Sequence, residues 1–181
     1  MTRGVAKLSA RSTHVALAGL VLISLASSAL AHRADLIGGG RAGPIRNGKT
    51  TLSDAEAWFG RADKVERVVV GCDVRLKKAR WTGRLIVFFG RGSDGTATET
   101  TVLRRTVHSA EDGDITVHTR KGLRIGDTRG KLRRHYPDAQ RYRYENRSWY
   151  ILKSSPSFGR LEAAVKNRRV VILRSAPWEY C

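Results

Sequence analysis

Apolar residues at helical spacing form the first clear pattern in the chain. They run from Leu52 to Phe59 at positions i, i+3 and i+7, which places them on one face of a short helix. This helix is predicted to begin at Thr51 or Ser53, both good N-cap residues, and to end at Gly60. One of its faces is therefore expected to pack inward.

The same pattern recurs in the second half of the chain. Thr128 takes the place of the capping threonine, Leu132 and Tyr136 continue the apolar stripe, and Pro137 ends it. The recurrence predicts two similar structural units in one chain.

After each helix the period of the pattern changes to two, which is typical of half-buried strands. Strands are predicted after the first helix at residues 65–76, 81–89, 96–107 and 115–119. Strands are predicted after the second helix at residues 140–145, 148–153, 160–166 and 169–174. The predicted fold class is α+β, with two tandem units that each contain a short helix and a roughly four-stranded antiparallel sheet.

These patterns divide the chain into four segments. Residues 1–31 form a signal peptide, 32–48 a Gly-rich N-terminal loop, 49–121 the first unit and 122–181 the second unit. The core is predicted to contain apolar residues from the inward faces, namely Leu52, Ala55, Phe59, Val70, Val74, Leu85, Val87, Leu132 and Tyr136.

The start of the chain has the features of a secretory signal. Arg3, Lys7 and Arg11 precede an apolar run that ends near Leu30, and small residues allow cleavage after Ala31. The alternative is a retained membrane anchor, but the run has about 16 residues where a spanning helix needs roughly 20. The mature protein is predicted to be secreted or to reside in the cell envelope, with no transmembrane segment.

The two cysteines agree with export. In an oxidising compartment Cys72 and Cys181 are predicted to form a disulfide. On the chain-entropy model, closing a loop of about 110 residues stabilises the fold by about 4–5 kcal/mol. The alternative is a reactive thiol at Cys72, with Cys181 in a free tail.

Basic residues outnumber acidic ones by 34 to 16, which gives a formal net charge of +18 and a pI near 11.0. Such a chain is attracted to anionic partners such as nucleic acid, acidic glycans or lipid headgroups. The arginines are spread along the sequence, however, which is also typical of solvent-facing positions on amphipathic strands. Both interpretations of the charge stay open here.

One segment combines this charge with aromatic residues. Arg141 and Arg143 alternate with Tyr142 and Tyr144, and Trp149 follows across a predicted turn. These five residues are the candidate binding surface, because aromatic side chains beside arginine are typical of stacking surfaces. The alternative is that the aromatic residues belong to the sheet core and to cross-strand pairs.

The sequence contains no recognisable catalytic pattern. The strings G-x-S-x-G, H-E-x-x-H and S-x-x-K do not occur. His108 and His118 flank a predicted hairpin, and they would face each other as half of a metal site only if its turn has three residues. Surface histidines are the favoured interpretation, so no catalytic residue, metal or cofactor is predicted.

A resemblance to a known fold rests on residues of both copies, namely Gly48, Thr51, Phe59 and Gly60, and Gly126, Thr128, Leu132, Tyr136 and Pro137. The doubled unit resembles the β-lactamase-inhibitory-protein fold. Its single unit resembles the small outer-membrane-assembly lipoproteins of the SmpA/OmlA type. The resemblance implies tandem helix-and-sheet units that bind another protein through a sheet face and its loops, but it implies no particular target.

Binding is favoured over catalysis on these grounds. The leading interpretation is an exported, non-catalytic protein that binds an extracellular or envelope protein through an exposed sheet face. One alternative is an electrostatic binder of acidic polymers, such as cell-surface glycans or nucleic acid. The other alternative is a secreted hydrolase of unknown class.

Overall fold

The computed structural model describes residues 33–37, 41–71, 73–90, 95–109, 113–155 and 159–176. The helices in these ranges are α1 (Leu52–Phe59) and α2 (Arg129–His135). The strands are β1 (Arg33–Ile37), β2 (Arg41–Ala42), β3 (Ile45–Arg46), β4 (Lys64–Val70), β5 (Val74–Trp81), β6 (Leu85–Phe89), β7 (Ala97–Val102), β8 (Thr106–Ser109), β9 (Gly113–Thr119), β10 (Gln140–Tyr144), β11 (Arg147–Ser155), β12 (Gly159–Lys166) and β13 (Arg169–Ala176). Neither helix is long and apolar enough to cross a bilayer.

Eight strands form one antiparallel sheet in the order β10-β11-β12-β13-β7-β6-β5-β4. Its first half, β4 to β7, and its second half, β10 to β13, each consist of consecutive strands that pair with their neighbours in the chain. The halves meet where β13 pairs with β7, with Leu173 opposite Val102 and Arg174 opposite Thr101. We call this junction the seam.

The other five strands form a second sheet in the order β3-β2-β1-β9-β8. β1 pairs with β9 in parallel, and the remaining pairs are antiparallel. The β8–β9 hairpin therefore leaves the eight-stranded sheet and joins strands from the beginning of the described chain.

The predicted α+β fold of two tandem helix-plus-sheet units was wrong. The described part of the chain is mostly β, with a single eight-stranded sheet in place of two four-stranded ones. Residues 33–46, predicted to be loop, contain β1, β2 and β3. Periods along the chain are local signals, whereas the choice of strand partners depends on contacts between distant residues.

The single strand predicted at residues 65–76 is a hairpin. β4 and β5 pair with Val70 opposite Val74, and Asp73 has a positive φ of 59° at the turn. Three residues connect Val70 to Val74, so apolar residues continue to alternate with polar ones through the turn. The sequence pattern therefore looks like one continuous strand. Val70 and Val74 are only partly buried, and they lie outside the main core where they were predicted to be.

Both helices begin after a predicted threonine. At α1, Thr51 and Asp54 form a capping box that bonds the backbone N–H of each residue to the side chain of the other. At α2, the side chain of Thr128 accepts a hydrogen bond from the N–H of Lys131 at 3.1 Å. Leu132 of α2 is completely buried, which for a leucine side chain contributes about 1.5–3 kcal/mol.

The main hydrophobic core joins one face of the eight-stranded sheet, the inner face, to both helices and to the second sheet. Side chains from the helices and the second sheet in this core are Ala42, Ile45, Ala55, Phe59, Val107, Ile115, Val117 and Leu132. The predicted core residues confirmed as buried are Ala55, Phe59, Leu85, Val87, Leu132 and Tyr136, and Leu52 packs at the margin. The inner face is therefore covered.

Candidate functional site

The opposite face of the eight-stranded sheet, the outer face, carries a hydrophobic cluster of its own. Its members are Trp149, Ala164, Ile172, Leu103, Tyr142 and Val171. All of them lie in strands of this one sheet or directly after one. Within the described ranges, neither helix and no strand of the second sheet contributes to this cluster, whose members Trp149, Ala164 and Ile172 are buried.

Four side chains of the second half form a connected group on the outer face, which we call the Trp149 cluster. Tyr142 stacks on Trp149 with ring centroids 6.3 Å apart and 18° between the ring planes. The guanidinium carbon of Arg174 lies 4.5 Å from the centroid of the Trp149 ring. Glu162 accepts hydrogen bonds from the Tyr142 hydroxyl at 3.1 Å and from Arg174 Nε at 2.8 Å, and it also pairs with Arg174 Nη2.

Strand register explains why these four residues meet. Tyr142 lies opposite Trp149 across β10 and β11, and Glu162 lies opposite Arg174 across β12 and β13. Ala164 is opposite Trp149 on β12 and leaves room for the indole ring because its own side chain is small. Ordinary antiparallel pairing therefore assembles the cluster without any loop.

Burial and the neighbouring carboxylates together set the pKa values in the cluster. Glu162 is 1% exposed, and a second buried carboxylate, Glu99, accepts a hydrogen bond from Thr101 Oγ1 at 3.1 Å. Burial acts to lower the pKa of Arg174, but the charges of Glu99 and Glu162 raise it above its ordinary value. Burial first, and then the charge of Glu162, raise the pKa of Tyr142 from 10.0 to about 12. Tyr142 and Arg174 therefore keep their protons at physiological pH.

The first half of the outer face also holds a glutamate among cations. Glu66 pairs with Lys64 at 2.8 Å, with Arg80 at 2.9 Å and with Lys78 at 3.7 Å. Lys78 Nζ lies 5.6 Å from the centroid of the Phe88 ring. The hydrogen bond from Lys64 and the charge of Arg80 outweigh desolvation and lower the pKa of Glu66.

The structure brings together only part of the predicted binding surface. Tyr142 and Trp149 are paired on the outer face, and Tyr144, which is 56% exposed, follows Tyr142 on the same face of β10. Arg141 and Arg143 alternate onto the opposite face of this edge strand, because neighbouring side chains of a strand point to opposite sides. The aromatic residues are therefore grouped, and the two arginines are separated from them.

Sequence reasoning missed Glu162, Arg174 and Glu99. A signal for Glu162 exists, because this residue stands alone as a charge within the apolar run Leu161 to Val165. A lone carboxylate in a buried strand indicates a buried partner. The partner could not be read from the sequence, since any of the many basic residues qualifies.

Several predictions fall outside the residues that the structure describes. Residues 1–31, Cys72 and Cys181 are among them, so the signal peptide and the disulfide stay predictions. His108 lies opposite Asp114 across β8 and β9, while His118 is four positions further along β9. The two histidines are therefore not cross-strand neighbours.

Comparison with known proteins does not assign a family. No family model and no curated protein matches the chain. A solved DUF4309 family protein from Bacillus subtilis matches with a TM-score of 0.46 and 16% identity, over 75% of this chain and 86% of that one. A cysteine-rich secretory protein from Staphylococcus aureus matches with a TM-score of 0.39 and 12% identity, over 80% of this chain and 49% of that one. Likenesses this distant carry no argument about function.

Proposed function

We propose that this protein is a non-catalytic binding protein that holds a protein partner against the outer face. The observation that carries the proposal is the Trp149 cluster, an assembled group of Tyr142, Trp149, Glu162 and Arg174 on a face to which no described helix and no strand of the second sheet contributes. Tyrosine, tryptophan and arginine are the residues enriched in the hot spots of protein interfaces.

The dimensions of the outer face suit a protein partner. Eight strands spaced about 4.8 Å apart span about 34 Å, and a strand of seven residues is about 23 Å long. The product is of the same order as the roughly 800 Å² that each partner contributes to a standard interface. A globular domain or an extended segment lying across the strands would therefore find sufficient area.

Two details of the outer face support contact with polypeptide. Tyr144 presents an exposed ring at the β10 edge, beside the cluster. The side chain of Arg174 is 29% exposed, so its guanidinium is open to a partner while Trp149 below it is buried. The predicted signal peptide supports a partner that is extracellular or in the cell envelope.

The test is capture of proteins from extracellular and envelope fractions, with washes at about 0.1 M and about 0.5 M salt. The wild-type chain is compared with the outer-face variant Tyr142→Ala/Tyr144→Ala and with Arg143→Ala as a control on the opposite face of β10. We expect a discrete protein to stay bound at the higher salt to the wild type and to the control, and to be lost from the outer-face variant.

Two results would overturn the proposal. Loss of all captured protein at the higher salt would favour an electrostatic binder of acidic polymers. Equal retention by the outer-face variant would show that binding occurs elsewhere. Circular dichroism of each variant checks that the sheet is intact, so a loss of binding is not mistaken for unfolding.

A further inference from the structure

A second surface, with different chemistry, lies where α2 meets the turn between β12 and β13. An open groove at this place is lined by Thr128, Arg129, Gly130, Arg133, Asn167, Arg168 and Arg169. Four of the seven residues are arginines, and none is acidic or aromatic. We call it the arginine groove.

Backbone contacts hold the two sides of the groove together. The N–H of Arg129 donates to the carbonyl of Arg168 at 2.8 Å, and Thr128 forms an isolated antiparallel bridge with Arg169. The arginines are therefore kept close by the fold itself, against the repulsion of their charges. A bound anion would relieve this repulsion.

The described part of the chain does not neutralise the groove. Asp127 lies next to Thr128 in the sequence, but its carboxylate accepts the N–H of Arg124 at 2.8 Å and pairs with Lys131 Nζ at 2.8 Å. Arg169 Nη1 donates to the carbonyl of Gly126 at 2.9 Å, a bond that leaves its charge in place. The groove therefore keeps its positive charge.

The turn at the groove carries an arginine where glycine is favoured. Asn167 and Arg168 have φ values of 50° and 61°, the left-handed region required at both central positions of a two-residue hairpin. Asn-Gly is the preferred pair in such turns, because glycine adopts positive φ without strain. Arg168 therefore occupies a position that glycine would hold with less strain, as Glu145 does at the turn between β10 and β11.

We propose that the arginine groove binds the sulfate or phosphate esters of an acidic polysaccharide. Planar guanidinium groups match these oxyanions with paired, charge-assisted hydrogen bonds. No aromatic side chain lines the groove, so the bases of single-stranded nucleic acid have no stacking platform, and this favours a polysaccharide over a single strand. The proposal does not depend on the outer face or on its protein partner.

The test is calorimetric titration of the full chain with a sulfated octasaccharide, with a phosphate-bearing oligosaccharide of equal charge and with single-stranded DNA. The variant Arg168→Gly removes one groove charge and also relieves the positive φ. The control Arg75→Gln removes one exposed charge on β5, outside the groove. The relative affinities for the two oligosaccharides decide between sulfate and phosphate.

We expect Arg168→Gly to melt at the same temperature as the wild type or higher, while it weakens oligosaccharide binding about tenfold, as for loss of a charged hydrogen bond. The control is expected to change binding less than about twofold, as for one distant, screened charge. Equal weakening in both variants would overturn the groove as a site, since only total charge would matter. Tighter binding of DNA than of both oligosaccharides would overturn the polysaccharide assignment.

Discussion

The two halves of the outer face place the same kinds of residue in different surroundings. In the first half Glu66 lies among three cations, and in the second half Glu162 pairs with Arg174. The side chain of Glu66 is 24% exposed, whereas that of Glu162 is 2% exposed, although its partner Arg174 is 29% exposed. The two carboxylates therefore differ in their access to water.

Aromatic neighbours account for the difference. Tyr142 and Trp149 pack beside the Glu162–Arg174 pair and keep water from the carboxylate of Glu162, while the Glu66 group has one aromatic neighbour, Phe88 beside Lys78. Ion pairs in water are weak and screened by salt, whereas removal of one partner of a buried pair leaves an uncompensated charge. The same residue types thus give a partly hydrated carboxylate in one half and a buried carboxylate in the other.

The largest effect is expected from Arg174→Met, which strands the carboxylate of Glu162 in a buried site. The free energy of unfolding should fall by about 3–5 kcal/mol, measured by urea denaturation. The double variant Glu162→Leu/Arg174→Met should recover part of the loss, because it removes the stranded carboxylate of Glu162 but leaves the buried carboxylate of Glu99 without the charge of Arg174. If the free energy of unfolding of Arg174→Met lies within about 1 kcal/mol of the wild-type value, the buried-pair interpretation is contradicted.

A smaller effect is expected at the helix caps, where the halves also differ. Thr51→Ala loses two bonds of the Thr51 hydroxyl, one accepted from the N–H of Asp54 and one donated to the Asp54 carboxylate, whereas Thr128→Ala loses one bond. Each change should cost about 0.5–2 kcal/mol, with the larger value at Thr51. Thermal unfolding measures both, and Thr→Ser at each position is the matched control. A larger loss of stability at Thr128 than at Thr51 would contradict this expectation.

Tyr142→Phe should cost about 1 kcal/mol, the usual value of one hydrogen bond. Its effect should also depend on pH. Because the pKa of Tyr142 is raised in the folded protein, its contribution to stability is complete below pH 10 and is lost as the pH rises towards 12. Absorbance titration of the tyrosines should show a high-pH component that shrinks in the variant. An unchanged titration would contradict the assignment of the raised pKa to Tyr142.

The smallest effect is expected from Glu66→Gln in the exposed network. At high salt the midpoint of thermal unfolding should not change measurably, because screening already removes the attraction. Because the pKa of Glu66 is lowered from 4.5 in the folded protein, its ionised carboxylate contributes to stability above pH 4.5. This contribution is lost as the pH falls below that value. A loss as large as that of Arg174→Met would show that the halves do not differ.

Local signals in the sequence predicted part of the fold. Thr128 was correctly predicted to cap the second helix, Thr51 was one of the two residues predicted to start the first, and the strands predicted from residue 140 onwards correspond to β10–β13. Each of these depends on a few neighbouring residues. The seam and the second sheet were not predicted, because they join segments far apart in the chain, such as β1 with β9.

The candidate site shows the same division between local and distant signals. Alternation across a short turn was sufficient to group Tyr142 with Trp149. It grouped Arg141 and Arg143 with them as well, although the strand period places these on the other side. Arg174 joins the cluster only through the pairing of β12 with β13, and no pattern near it distinguishes it from other arginines.

The seam has a consequence for the solution behaviour of the protein. β13 and β7 are joined through three residue pairs, against seven between β12 and β13. Separation of these two strands exposes two complementary sheet edges. They can pair again within one molecule or between two molecules. Concentrated protein under mildly destabilising conditions is therefore a setting for reciprocal exchange of halves between molecules. Arg174 lies at this junction close to the charges of Glu99 and Glu162, one from each half, and would oppose the separation that such exchange requires.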